Sequence, residues 1–108
     1  TWEAIATRLE HAARGDFVIA LYNPASRARP QRIFDAFGLL RGILRAETIV
    51  VFAKSVGRPE EKLIISSLAD ADPAQVDMAT LVIIGARGTR LVERTGAQPY
   101  VYTARKSP

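Results

Sequence analysis

The chain has 108 residues, 48% of them apolar, and no cysteine. That length suits one domain with one core. The composition is too apolar for a disordered chain, and without cysteine there are no disulfides, thiolate nucleophiles or cysteine-ligated metals. The single histidine, His11, excludes a His-rich metal site, and 15 Lys and Arg against 11 Asp and Glu leave a formal charge of +4.

No apolar run approaches the roughly 20 residues that cross a bilayer, and no charged-then-apolar leader opens the sequence. These features point to a cytoplasmic location and away from a membrane. Position 1 is Thr, and a helical pattern is already under way there. The expectation is a piece of a longer protein.

Residues 2–14 are predicted as a helix. Trp2, Ile5, Leu9 and the Ala12-Ala13 pair recur at helical spacing, and Gly15 stands where a C-terminal cap belongs. Phe17 to Leu21 follow as an uncharged apolar run closed by Tyr22, Asn23 and Pro24. Such a run reads as a strand buried on both faces, and Pro24 has no donor with which to continue a ladder. Pro30 suits the first turn of a second helix. Over residues 31–45 that helix shows a stripe of Ile33, Phe34, Phe37, Leu40, Ile43 and Leu44, with Arg32, Arg41 and Arg45 on the solvated side. Gly38 and Gly42 weaken it and could let it sit close to a sheet.

Thr48 to Ala53 reads as a second strand and Leu63 to Ser67 as a third. The connection between them, about eight residues, favours antiparallel pairing, since a parallel crossover takes a dozen or more. Leu68 to Val76 is a short helical or turn segment, Leu81 to Ile84 a fourth strand, and Tyr100 to Tyr102 a short edge strand before a basic tail. The order predicts a single α/β domain over residues 1–108: a layered, mixed β-sheet with flanking helices.

Open α/β sheets bind ligands beyond the carboxyl ends of their strands. Three loops qualify: Tyr22 to Arg29, Lys54 to Arg58 and Gly85 to Arg90. If their strands are parallel neighbours, the loops converge on one rim. Gly85-Ala-Arg-Gly-Thr-Arg90 could cradle a phosphate, but it has neither the Walker ending nor a third glycine, so a plain turn is the weightier reading. Gly57-Arg58-Pro59-Glu60-Glu61 could hold a catalytic acid, although a polar turn is the commoner use of such a run. Asp70, Asp72 and Asp77 lack the glycine and terminal glutamate of a calcium loop and read as caps and turn formers. His11 is expected at the surface. Ser26 lacks the glycines of a nucleophile elbow. The arginines are either a solvated surface or the footprint of a polyanionic partner, since a guanidinium suits a planar carboxylate.

Several phrases together resemble the C-terminal half of the tetrapyrrole methylases, nearest to those acting on precorrin-3B at C17 in cobalamin biosynthesis. They are Asp16-Phe-Val-Ile-Ala-Leu-Tyr-Asn-Pro-Ala-Ser26, Val56-Gly-Arg58, Ser67-Leu-Ala-Asp70, Val76-Asp-Met78 and Leu81-Val-Ile-Ile-Gly85, followed by Thr89-Arg90. The resemblance implies transfer of a methyl group from S-adenosyl-L-methionine to a ring carbon, coupled to ring contraction. It also implies a cleft shared with a missing N-terminal domain, and a homodimer when full length. Cofactor contacts would then fall at Tyr22, Asn23, Val56, Gly57, Gly85 and Ala86. Arg27, Arg29, Arg58, Arg87 and Arg90 would steer a substrate carrying many carboxylates. No catalytic acid or base is assigned, and no metal or nucleic acid is implied. The alternatives are a methylase of another ring position, or a non-catalytic basic module that holds a nucleotide or nucleic acid.

Overall fold

A computed structural model describes residues 1–22, 31–92 and 100–103. Helix α1 is Trp2–Arg14. The Thr1 hydroxyl accepts from the Ala4 amide at its start, and Gly15 closes it. Strand β1, Ile19–Leu21, is shorter than the apolar run suggests. The Phe17 amide donates to the Ala12 carbonyl at 3.0 Å, so Phe17 still belongs to the helix exit. Among the described residues β1 pairs with β4 alone, and Ala20 is exposed. The expectation of a strand buried on both faces therefore fails: Ile19 is buried, but Ala20, which faces the other side, is exposed.

Helix α2, Arg32–Arg41, stops at Gly42, whose amide reaches back to Leu39 and Leu40. It is shorter than the apolar pattern, and Ile43 and Leu44 continue to pack against the core after the helix has ended. Gly38 is exposed, and a Cβ there would meet nothing within 4 Å, so it does not serve close packing on the sheet. Strands β2, Ile49–Lys54, and β3, Lys62–Ser67, form the expected antiparallel pair. A 3-10 turn at Pro73–Gln75 is capped by the Asp72 carboxylate, which accepts from Ala74 at 3.0 Å. Strand β4 is Thr80–Ile84. β5, Thr89–Val92, and β6, Tyr100–Thr103, make a separate two-stranded sheet. The sequence pattern anticipated β6 but read the start of β5 as loop.

The larger sheet runs β1-β4-β2-β3, with every pairing antiparallel. This corrects the expected mixture of strand directions within a layered α/β architecture. β1 and β2 do run the same way, but β4 is inserted between them in the opposite sense.

Phe37 and Leu40 from α2 meet Val50, Phe52, Val82 and Ile84 on one face of the sheet, all at most 1% exposed. The Phe37 and Phe52 rings stack at 6.2 Å. Each such side chain contributes about 2–3 kcal/mol by leaving water. Arg41 is not simply solvated. Its Nε donates to the Leu68 carbonyl at 3.1 Å and its Nη2 to the Ala71 carbonyl, while the guanidinium lies over the Phe37 ring. One side chain thus fastens the strand-to-turn segment to the helix.

Candidate functional site

The strand register decides which loops can meet. Leu21 pairs with Val82 and Lys54 with Thr80, so the carboxyl ends of β1 and β2 lie beside the amino end of β4. Neighbouring strands sit about 4.8 Å apart, so these three ends fit within about 10 Å. Ile84, by contrast, pairs with Ile19 and Val50 at the starts of β1 and β2. Gly85 therefore leaves the sheet at its other end, about 13 Å away along β4. The three loops singled out in the sequence do not share one rim. Tyr22 joins Val56, Gly57 and Arg58, whereas Gly85, Ala86, Arg87 and Arg90 lie opposite. The cause is the antiparallel course of β4. Asn23, Arg27 and Arg29 fall outside the described residues.

The first end carries three large apolar side chains in water: Tyr22 at 81% exposure, Val56 at 58% and Met78 at 57%. Two residues beside them are held at positive φ, Ser55 at 51° and Gly57 at 82°. Glycine suits the second position because it has no Cβ to clash. The Ser55 amide donates to the Ala79 carbonyl at 3.0 Å, and the Gly57 amide to Glu61 Oε1 at 2.8 Å. Glu61 thus closes its own loop, which favours the polar turn over a catalytic acid.

The facing turn is organised by Asp77. Its Oδ1 accepts from the Thr80 hydroxyl at 2.7 Å and the Ala79 amide at 2.9 Å, and its own amide donates to Thr80 Oγ1 at 3.1 Å. The Thr80 hydroxyl, then the Ala79 amide, hold the Asp77 carboxyl below its ordinary value despite some desolvation, and Lys54 adds a weaker pull in the same sense. The amides of Val56 and Met78 have no partner among the described residues. Chemically, this end offers apolar surface next to unspent backbone donors, a combination that suits a neutral ring with polar edges. Sequence reading missed Asp77 to Thr80 as part of a site. The available signal was the Asp-x-x-Thr spacing just before a strand.

The opposite end is built differently. A cavity of about 450 Å³ is lined there by Arg14, Arg45, Arg87 and Arg90, together with Asp16 and Phe17. Three of the backbone donors of its Gly85-to-Thr89 turn are engaged in succession, while the Gly88 amide has no partner among the described residues. The Gly85 amide donates to the Ile49 carbonyl, Ala86 to Thr89 Oγ1 and Arg87 to Asp16 Oδ1, at 2.8 to 2.9 Å. Three successive amides turned inward leave little to cradle a phosphate, so the plain-turn reading holds. A Cβ on Gly85 would come within 2.9 Å of the Thr89 side chain, so this glycine serves internal packing. Arg14 pairs with Glu10, Arg45 with Glu47, and Arg90 donates to the Arg87 carbonyl.

No family model matches the sequence. Individual proteins do. A precorrin-3B C(17)-methyltransferase from Sinorhizobium sp. is 51% identical over 104 residues, covering 96% of this chain and 41% of that protein. A probable cobalt-factor III C(17)-methyltransferase from Salmonella typhimurium is 39% identical, covering 94% of this chain and 42% of its own length. The crystal structure of the methyltransferase CobJ superposes with a TM-score of 0.86 at 39% identity, covering 96% of this chain and 41% of that one.

The fold and the sequence are therefore similar to those of part of known methyltransferases. More narrowly, the chain matches the C-terminal half of the precorrin-3B and cobalt-factor III C17-methyltransferases of cobalamin biosynthesis. It spans about two fifths of the length of these relatives. They give no support to the basic nucleotide-binding module.

Proposed function

We propose that this chain is the C-terminal part of an S-adenosyl-L-methionine-dependent methyltransferase that methylates precorrin-3B at C17 with contraction of the ring. The observation that carries the reading is the 51% identity to a precorrin-3B C(17)-methyltransferase across 96% of this chain. The cofactor belongs at the end of the sheet bearing Tyr22, Val56 and Gly57, with Asn23 next in sequence. Gly85 and Ala86 have no part in it, because they lie at the other end with their amides engaged. Among the arginines, Arg58, in the loop after β2, is the proposed partner of a substrate carboxylate, with Arg27 and Arg29 following Tyr22 in sequence. Arg87 and Arg90 are too far along the sheet to share that task.

When bound, S-adenosyl-L-methionine supplies a methyl group already activated on sulfonium. What the chain must supply is alignment and exclusion of water. Tyr22, Val56 and Met78 provide an apolar wall, and the Val56 and Met78 amides provide directional donors. The second wall belongs to the N-terminal half of the protein, and the full-length enzyme is a homodimer. No described helix is long and apolar enough to cross a membrane, and the proposed site of action is the cytoplasm.

The test is to incubate the full-length protein with precorrin-3B and methyl-labelled S-adenosyl-L-methionine. One labelled methyl at C17 is expected, and no turnover by the 108-residue chain alone. Methylation at another ring position would reassign the substrate step, and turnover by the isolated chain would overturn the division between two halves.

A further inference from the structure

Asp77 is exposed, yet it takes part in four hydrogen bonds within four residues, one of them from the Thr80 amide to its own backbone carbonyl at 3.2 Å. The core does not require this network, since only Thr80, 2% exposed, is buried in it. Its effect is on the surface. It closes residues 77–80 into a turn, holds Met78 out in water, and fixes the direction of the Ala79 carbonyl. That carbonyl accepts from the Ser55 amide across the gap between the two loops. Ser55 is held in the left-handed region, which a residue with a Cβ rarely enters without support. The Asp77 turn is therefore joined by one hydrogen bond to the loop that presents Val56 and Gly57. A change at Asp77 alters both apolar walls and both unpartnered amides.

We infer that Asp77 is a positioning residue for the ligand end of the sheet: bonded to Thr80 and Ala79, its carboxylate sets the Met78 turn and, through Ala79, the Ser55-to-Gly57 loop. This rests on the reading of that end as the cofactor site. Asp77 itself does not touch the ligand. A purely structural role, finishing the start of β4, would cost stability and leave affinity unchanged.

The experiment is calorimetric titration of the full-length protein with S-adenosyl-L-methionine and with S-adenosylhomocysteine, alongside thermal melts. Asp77→Ala and Thr80→Val are each expected to weaken binding about tenfold, the loss that follows from one well-placed hydrogen bond. The double variant is expected to lose no more than either alone, because both remove the same latch. Asp77→Asn keeps an acceptor oxygen and recovers most of the affinity. In turnover, KM for the cofactor rises while kcat at saturation holds. Should Asp77→Ala fail to fold, Asp77→Glu keeps the charge and moves the carboxylate by one bond, and several-fold weaker binding is expected. Wild-type affinity in a folded Ala or Glu variant overturns the inference. Failure of the wild-type protein to bind either probe overturns the cofactor reading itself, a separate result.

Discussion

The two ends of the β1-β4-β2 sheet use similar residues for opposite purposes. Both have a tight turn, a residue at positive φ and an aspartate accepting a backbone amide. At the Gly85 end the aspartate is Asp16, and it joins the α1-to-β1 turn to the β4-to-β5 turn across 71 residues of sequence. Successive amides there point into the protein, which makes that end a fastening. At the Tyr22 end the aspartate stiffens a local turn, and the two amides beside it have no partner among the described residues. Apolar side chains face water at both ends, Phe17 at the Gly85 end and Tyr22, Val56 and Met78 at the other. A glycine-rich loop at a strand end is thus not evidence of a ligand site. What matters is whether its donors are already used.

Because both ends hang on one core, the largest effect should abolish the difference between them. Phe37→Ala removes a fully buried ring from its stack on Phe52. A loss of about 3–5 kcal/mol is expected, read as the shift in a urea unfolding curve, with ligand binding and the far end failing together. A loss below about 1 kcal/mol would mean that the two ends do not share this core.

The next change separates the ends. Thr89→Val keeps shape but takes away the oxygen that the Ala86 amide donates to. Leaving a half-buried amide unpaired costs about 1–3 kcal/mol. The Gly85 end should loosen, with faster amide exchange at Ala86 and Arg87, while the full-length protein binds S-adenosyl-L-methionine as before. A large loss of affinity would put the cofactor at the wrong end. Gly57→Ala makes the reverse test. A Cβ there meets nothing within 4 Å, so its cost is confined to the backbone at φ 82° and should be about 1 kcal/mol. Cofactor affinity is expected to fall several-fold in this variant, with exchange at Ala86 unchanged.

Much of the fold could be read in advance because it rests on local rules. Apolar periodicity and the Gly15 cap define α1, although Thr1 is its N-cap and not a residue inside a helix already under way. The short link to β3 dictates an antiparallel pair, and Asp72 announces its cap. β4 could not be placed the same way. Nothing local in Leu-Val-Ile-Ile tells that it inserts between β1 and β2 in the reverse sense, since strand order is settled by long-range packing. That single direction moved Gly85, Ala86, Arg87 and Arg90 to the opposite end. It also brought Asp77 to Thr80, read only as a turn, to the place where Tyr22 and Val56 are exposed. Phe17 was misplaced for another reason: an apolar run reports hydrophobicity, and the bond from its amide to the Ala12 carbonyl keeps it in the exit of α1.

The smallest effect expected is the pH response of the Asp77 turn. The Thr80 hydroxyl and the Ala79 amide favour the charged carboxylate, so its folded value lies below the ordinary 3.8. A group lowered by folding contributes its stability fully above the unfolded value and loses it as pH falls through the folded one. The contribution is therefore complete at neutral pH and disappears only in acid, from roughly pH 5 downward. Asp77→Asn should flatten the acid limb of the stability curve, because a neutral side chain has no proton to take up. The change should be slight, since Asp77 is exposed and water screens its charge. Added salt should remove only the portion due to Lys54, leaving the hydrogen-bonded part in place. Urea midpoints measured from pH 6 to pH 3 would show this. Parallel acid limbs in the wild-type and Asn proteins would mean that the turn does not depend on the charge of Asp77, and that its aspartate, like Asp16 at the other end, acts as an oxygen acceptor alone.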